Sequence, residues 1–349
     1  MLRNYAMERL KLPETSKMFF TRGFTIPAVM QGKVPVGLIN LWRKYWNHRK
    51  LPQVNINDFL QHHSCSFGIT RSGKSNGCGR LCEELLLKGM RIIVVDYKGE
   101  FITLGELPGV RVNVVPIAGR NGKEDAVAFS EGTQSYILNL ETITDEVYVP
   151  YLLDFFTELW ELQRQLKMDA NNEGHMIVPV KIFVDEAQHF VGRISAKAMP
   201  KDLAIASRNL KGIFKNIAQQ GVGLGLPMHF STQRPTYLEP WIRNQVEVLL
   251  LYRQKWENDI EVYLDVIPAN GGGFKMRDIR KRSIEMMATG VAIYVGTDGQ
   301  TLEVQMQKKR TRDLSRTPGW AQQVEAMEAT RHGWQKDNPV DMPGAGEEA

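Results

Sequence analysis

The stretch Gly68-Ile69-Thr70-Arg71-Ser72-Gly73-Lys74-Ser75 fits the spacing G-x-x-x-x-G-K-[ST] at every defined position. A backbone that wraps a phosphate must turn its N–H groups inward, and glycines at both ends permit those turns. A helix starting at such a loop adds free N–H groups and the positive end of its dipole. On this reading Lys74 reaches the β- and γ-phosphates of a nucleotide and the Ser75 hydroxyl ligates Mg²⁺. A Gly/Ser-rich surface turn has the same composition, so the rest of the chain must decide. A second group of reactive residues is Asp185-Glu186, which ends the apolar run Ile182-Phe183-Val184. Adjacent acids at the tip of a buried strand need a cation or a reaction to serve. Asp185 would hold Mg²⁺, directly or through water, and Glu186 would orient and deprotonate an attacking water. The competing reading is a solvated strand end. A third polar tip is Thr232-Gln233-Arg234-Pro235, where Gln233 is placed to sense a γ-phosphate or position water.

These groups need rigid elements to bring them together. Residues 64–67 read as the strand that feeds the loop, and 74–89 as the helix that leaves it, with Leu81, Cys82, Leu85 and Leu86 at helical spacing. Gly77 and Gly79 are costly in a helix and imply close packing there. Arg91–Asp96 holds four consecutive apolar residues, the pattern of a parallel strand buried on both faces. Strand, loop, helix and strand make the βαβ unit that the phosphate loop requires. Further strands are expected at 110–116, 135–140, 177–184, 227–231 and 246–252. Helices are expected at 146–167, 201–220 and 256–264. Residues 168–175 are polar and read as a surface loop. A hairpin over 291–295 and 301–306 closes the domain. The tail beyond about 335, rich in Pro, Gly and acids, reads as disordered. The expected fold class is α/β with a mostly parallel central sheet.

The chain has 349 residues, 43% apolar and 24% charged, and a formal net charge of +5. These values are ordinary for a globular protein. Residues 1–50 hold ten Lys/Arg against two Glu, a local balance of +8 that leaves about −3 for the remainder. They read as short helical or irregular pieces ending in the basic-aromatic segment 41–50. That segment could stack on bases and neutralise phosphates, or dock as an amphipathic helix on the body. Basic runs recur at 275–282 and 307–316, and on one face of helix 201–220 through Arg208, Lys211 and Lys215. The three cysteines, Cys65, Cys78 and Cys82, read as buried reduced thiols. The most apolar early run, residues 24–42, contains Pro27, Gln31, Lys33 and Pro35 and so is a poor membrane span.

The order of Gly68–Ser75, Asp96-Tyr97-Lys98-Gly99-Glu100-Phe101, Val184-Asp185-Glu186-Ala187 and Ser231-Thr232-Gln233-Arg234-Pro235 resembles the HerA/FtsK superfamily of DNA-pumping ATPases. The resemblance covers about residues 52–312. It implies a RecA-like additional-strand P-loop ATPase domain at 52–316, flanked by a basic extension at 1–51 and by a C-terminal helix and acidic tail at 317–349. It implies ATP and Mg²⁺ as ligands, with Gly68, Ile69, Thr70, Arg71, Ser72, Gly73, Lys74 and Ser75 around the nucleotide and Ser75 and Asp185 on the metal. Lys74, Glu186 and the sensor Gln233 would be catalytic. The partners implied are double-stranded DNA and further copies of the chain in a hexameric ring, with a capsid, membrane or nuclease as additional partner.

Three departures from the family pattern stand out. Arg71 occupies a position that is usually small. The segment 218–223 lacks the arginines that often reach a neighbour's site, which leaves Arg208 and Arg234 as arginine-finger candidates. The basic extension is too short for the β-barrel of full-length HerA proteins and carries no membrane helices, which favours viral or mobile-element packaging and transfer motors. A cytoplasmic location is expected, with virion or membrane association left open. Two other readings are carried forward: export of single-stranded DNA in phage assembly, and an ATP-switched scaffold at a membrane or capsid vertex.

Overall fold

The computed structural model describes residues 17–18, 20–25, 54–192, 199–266, 281–297 and 301–314. The segment 41–50, the glycines 271–273, Lys275, Arg277, Arg280 and the tail beyond 335 lie outside them. The chain divides into two compact units, Met1–Asp313 and Leu314–Ala349, and the fold below is that of the first.

The strands are β1 (Lys17–Met18), β2 (Phe20–Thr25), β3 (Val54–Asn55), β4 (Ser64–Phe67), β5 (Arg91–Asp96), β6 (Val112–Pro116), β7 (Ser135–Asn139), β8 (Val180–Val184), β9 (Met228–Thr232), β10 (Val248–Tyr252), β11 (Val291–Val295) and β12 (Thr301–Met306). The helices are α1 (Ile56–Gln61), α2 (Lys74–Leu87), α3 (Gly122–Glu131), α4 (Asp145–Glu173), α5 (Gln188–Val191), α6 (Lys201–Gln220), α7 (Pro240–Gln245) and α8 (Glu257–Val266). Strands β1 and β3 pair with each other, and the other ten form one sheet in the order β2-β12-β11-β10-β4-β9-β8-β5-β7-β6. From β10 to β6 every pairing is parallel, whereas β2, β12 and β11 are antiparallel additions. The expected α/β architecture, mostly parallel sheet and closing hairpin are all present.

Successive strand residues point to opposite faces, so the apolar run of β5 serves two cores. Ile93 and Val95 pack with α4 and α6 through Phe155, Phe156 and Phe214. Ile92 and Val94 pack with α2 through Leu81, Cys82 and Leu85. Cys65, Cys78 and Cys82 are buried free thiols, and burial pushes all three up. Gly77 lets α2 lie against the sheet, since a Cβ there would overlap the Tyr252 hydroxyl.

Two expectations are corrected. Residues 168–173 continue α4 rather than forming a loop, because an exposed helix end accommodates polar residues. The helix stops at Gly174, which takes a left-handed φ of 70°, and the His175 N–H returns to the Ala170 carbonyl. Within the basic extension, Phe20–Thr25 is neither helical nor irregular but pairs antiparallel with β12. It covers an edge of β12 that would otherwise be unpaired. No helix among the described residues is long and apolar enough to cross a membrane.

Candidate active site

Strands β4, β9, β8 and β5 are neighbours in the sheet and run parallel, so their C-terminal ends open on one crevice, the usual ligand position in such sheets. The four motifs noted above each start at one of these ends. The loop after β4 is fixed by its backbone: the Gly68 N–H donates to the Thr232 carbonyl at 3.2 Å, Ile69 to Arg253 at 3.1 Å, and the Gly290 N–H to the Ser72 carbonyl at 2.8 Å. Gly73 has φ 95°, and a Cβ there would run into the backbone of Gly290. Helix α2 begins immediately afterwards with no side-chain cap, so its first N–H groups remain available to an anion. The Ser72 hydroxyl is buried and unpartnered. Arg71 also has a left-handed φ of 61°, and its side chain is exposed. Ser75 is half-buried in the first turn of α2.

At the tip of β8, Asp185 is buried and accepts a hydrogen bond from Ser231 Oγ at 3.1 Å through Oδ1, while its Oδ2 has no partner. Burial lifts its carboxyl to about 6 against the pull of Lys74. Lys74 Nζ donates to the same Ser231 Oγ at 2.6 Å and stands 3.9 Å from Asp185 Oδ1. Glu186 follows with a left-handed φ of 45°, a costly conformation for a residue with a Cβ. Its Oε1 accepts from Lys98 Nζ and from Gln233 Nε2 at 2.7 Å, and its Oε2 from Gln188 Nε2 at 2.7 Å. Burial raises the Glu186 carboxyl, but Lys74, the Gln188 bond and Lys98 outweigh it and hold the group near 2. Gln233 Oε1 takes a hydrogen bond from Thr70 Oγ1 at 2.7 Å, so one side chain joins the phosphate loop to the acid.

Residues 52–174 match the family model of the central domain of helicase HerA. The chain carries a P-loop ATPase domain that over these residues is similar to that HerA domain. Among solved structures, this chain is similar to the genome-packaging NTPase B204 of Sulfolobus turreted icosahedral virus 2 in complex with AMPPCP, at 13% identity and TM-score 0.44 over 70% of this chain and 97% of that one. It is also similar to the pCW3 conjugation coupling protein TcpA with ATPγS, at 17% identity and TM-score 0.47 over 74% and 63% of the two chains. A third is EssC (ATPases 2 and 3) of Geobacillus thermodenitrificans, at 11% identity and TM-score 0.47 over 84% and 47%. No curated protein matches the sequence.

Within this domain, Lys74, Asp185, Glu186 and Gln233 meet around the phosphate loop. The two arginine-finger candidates do not join them equally. Arg208 is exposed on α6, and no contact among the described residues ties it to the loop or the acids. Arg234 follows Gln233, but its Nε donates to the buried Asp259 at 3.0 Å and its guanidinium lies over the Tyr237 ring at 4.5 Å. It borders a cleft of about 420 Å³ shared with Ile69, Thr70, Gln233, Lys255 and Trp256. Sequence reasoning assigned no role to Ser231, Lys98 or Gln188. The first two lie inside motifs quoted for the resemblance. Asp96 explains part of the second motif: its buried carboxylate accepts the Glu100 and Phe101 N–H groups at 3.1 and 2.8 Å, folding the loop that carries Lys98. Burial lifts Asp96 to about 7, against those same hydrogen bonds.

Proposed function

We propose that this chain hydrolyses ATP to move double-stranded DNA through a homo-oligomeric, six-membered ring. The observation that carries the catalytic half is the meeting of Lys74, Asp185, Glu186 and Gln233 at one crevice from the tips of three adjacent strands, β4, β9 and β8. The Lys74 ammonium neutralises charge on the β- and γ-phosphates, and the free N–H groups of the loop and of α2 hold them. The unpartnered Asp185 Oδ2 fits a hard cation, and together with the Ser75 hydroxyl it would hold Mg²⁺. Bound Mg²⁺ supplies charge neutralisation on the phosphate oxygens. Glu186 accepts the proton of the attacking water, and the Gln233 amide orients that water and reports the terminal phosphate through Thr70.

The DNA half of the proposal rests on the family and on basic groups. Of those anticipated, Lys211 is already committed to Glu239 and the Gly192 carbonyl, and Lys281 to Glu257 and Glu261. Arg208 and Lys215 are exposed and free to meet phosphates. Phosphate contacts carry no base identity, which suits a motor that moves any sequence. Capsid, membrane or nuclease partners would supply the context of packaging or transfer. The test is duplex binding against salt with a non-hydrolysable ATP analogue. Engagement of about six phosphates predicts a loss on the order of a thousandfold between 50 and 200 mM salt, independent of sequence. A flat salt response contradicts the proposal, and tight binding to single strands alone supports DNA export in its place.

A further inference from the structure

We propose that Glu83 is a positioning residue for the nucleotide site: it docks the segment 307–312 as a strap on α2, and the docked strap and bound nucleotide stabilise each other. The inference rests on the reading of Gly68–Ser75 as a nucleotide site and adds a linkage to it.

Glu83 is completely buried on α2. Its oxygens accept the Arg310 N–H at 2.7 and 2.8 Å, the Thr311 N–H at 2.8 Å, the Thr311 hydroxyl at 3.0 Å and the Arg80 guanidinium at 3.2 Å. A carboxylate taken out of water needs such donors, and most of them come from the strap. Asn76 holds the other end: its Nδ2 donates to the Gln307 carbonyl at 2.8 Å, and its Oδ1 accepts the Lys309 N–H at 2.9 Å. A Cβ on Gly79 would crowd Lys309 Cδ at 3.3 Å, which gives that helix glycine a reason. The basic side chains of the run are committed within the domain, Lys309 to the Glu100 carbonyl, Arg310 to Glu84 and Arg312 to Glu106.

These contacts converge on the phosphate loop. Asn76 follows Ser75 in the first turn of α2, whose N–H groups are free for an anion. Glu100 belongs to the loop that brings Lys98 to Glu186. Met306, just before the strap, donates its N–H to the Gly290 carbonyl at 2.8 Å, and Gly290 donates to the Ser72 carbonyl at 2.8 Å. A docked strap therefore fixes the turn and the loop that receive phosphate, so nucleotide binds without the cost of ordering them. Linkage is reciprocal: if the docked strap tightens nucleotide binding, nucleotide holds the strap down by the same factor.

The test uses the full chain. Titration with a non-hydrolysable ATP analogue compares wild type, Glu83→Gln and Lys74→Ala, and ATP hydrolysis is measured on the first two. Glutamine keeps the shape, but its amide nitrogen cannot accept, so part of the dock is lost. Couplings between sites are typically about 5–150-fold, so Glu83→Gln should weaken analogue binding at least about fivefold. Its KM should rise in step while kcat at saturating ATP stays within about twofold, because bound nucleotide redocks the strap. Wild-type affinity in Glu83→Gln, or a larger fall in kcat, overturns the linkage and leaves Glu83 a purely structural residue. Hydrogen exchange on the wild type needs no variant to fold. The analogue with Mg²⁺ should slow exchange of the Arg310 and Thr311 N–H groups by at least the factor that Glu83→Gln loses in affinity. Exchange there that nucleotide leaves unchanged overturns the proposal. If Lys74→Ala binds the analogue as tightly as wild type, the nucleotide-site reading itself fails. If Lys74→Ala does not bind and Glu83→Gln binds like wild type, only the linkage fails.

Discussion

Ser231→Ala removes the one hydroxyl that links the phosphate-loop lysine to the buried acid. Ser231 Oγ accepts from Lys74 Nζ at 2.6 Å and donates to Asp185 Oδ1 at 3.1 Å, and all three side chains are buried. Hydrogen bonds to charged groups are worth about 1.5–3 kcal/mol each, so losing both sets an upper bound of about 6 kcal/mol. Lys74 Nζ and Asp185 Oδ1 are already 3.9 Å apart, so a small side-chain shift restores a direct contact and recovers part of the loss. A net cost of about 2–4 kcal/mol is expected in the nucleotide-free protein. Bound nucleotide gives both groups new partners, so the cost should shrink when Mg²⁺ and ATP analogue are present. Urea unfolding of wild type and variant, with and without the analogue, reads both quantities. A nucleotide-free difference within about 0.5 kcal/mol, or a cost that grows with the analogue, would refute the bridging role.

Lys74→Ala should abolish nucleotide binding and lower turnover by at least about 10²-fold, because it removes the charge set against the phosphates. Isothermal titration with the ATP analogue reads the first effect, and near-normal turnover would sink the phosphate-loop assignment. His63→Gln should flatten the acid limb of the stability curve. Burial, then Lys181 and His62, lower His63 from 6.5 to about 3, while its Nδ1 accepts the Met228 N–H at 2.9 Å. Between those values the unfolded chain binds a proton that the folded one does not, so stability falls as pH drops. Wild type should lose about 1.4 kcal/mol per pH unit more than the variant below pH 6.5, approaching about 5 kcal/mol in full. Parallel urea midpoints from pH 7 to pH 5 would contradict the assignment.

Much of the fold is legible in the residues because buried parallel strands are continuous apolar runs and the glycines punctuate them. The spans of β4, β5, α6, β11 and β12 follow directly from pattern. The position of each site residue along the chain is equally plain, since each lies at the tip of such a run. What the pattern does not carry is lateral order. That β9 lies between β4 and β8 is decided by the packing of helices on both faces, and this order places Ser231 between Lys74 and Asp185. Lys98 and Glu186 are 88 residues apart, and their pairing depends on β5 being next to β8. The edge strand Phe20–Thr25 is invisible for a related reason: it is specified by the free edge of β12 more than by its own residues.

Hydrolysis at this crevice is proposed to drive the protein along duplex DNA. Displacement of a third strand from a DNA triplex tests this, because only movement along the duplex removes that strand. The wild type should displace the strand with ATP and Mg²⁺ but not with a non-hydrolysable analogue, and Lys74→Ala should not displace it under either condition. Hydrolysis of ATP in the presence of duplex with the triplex left intact would rule out movement along DNA.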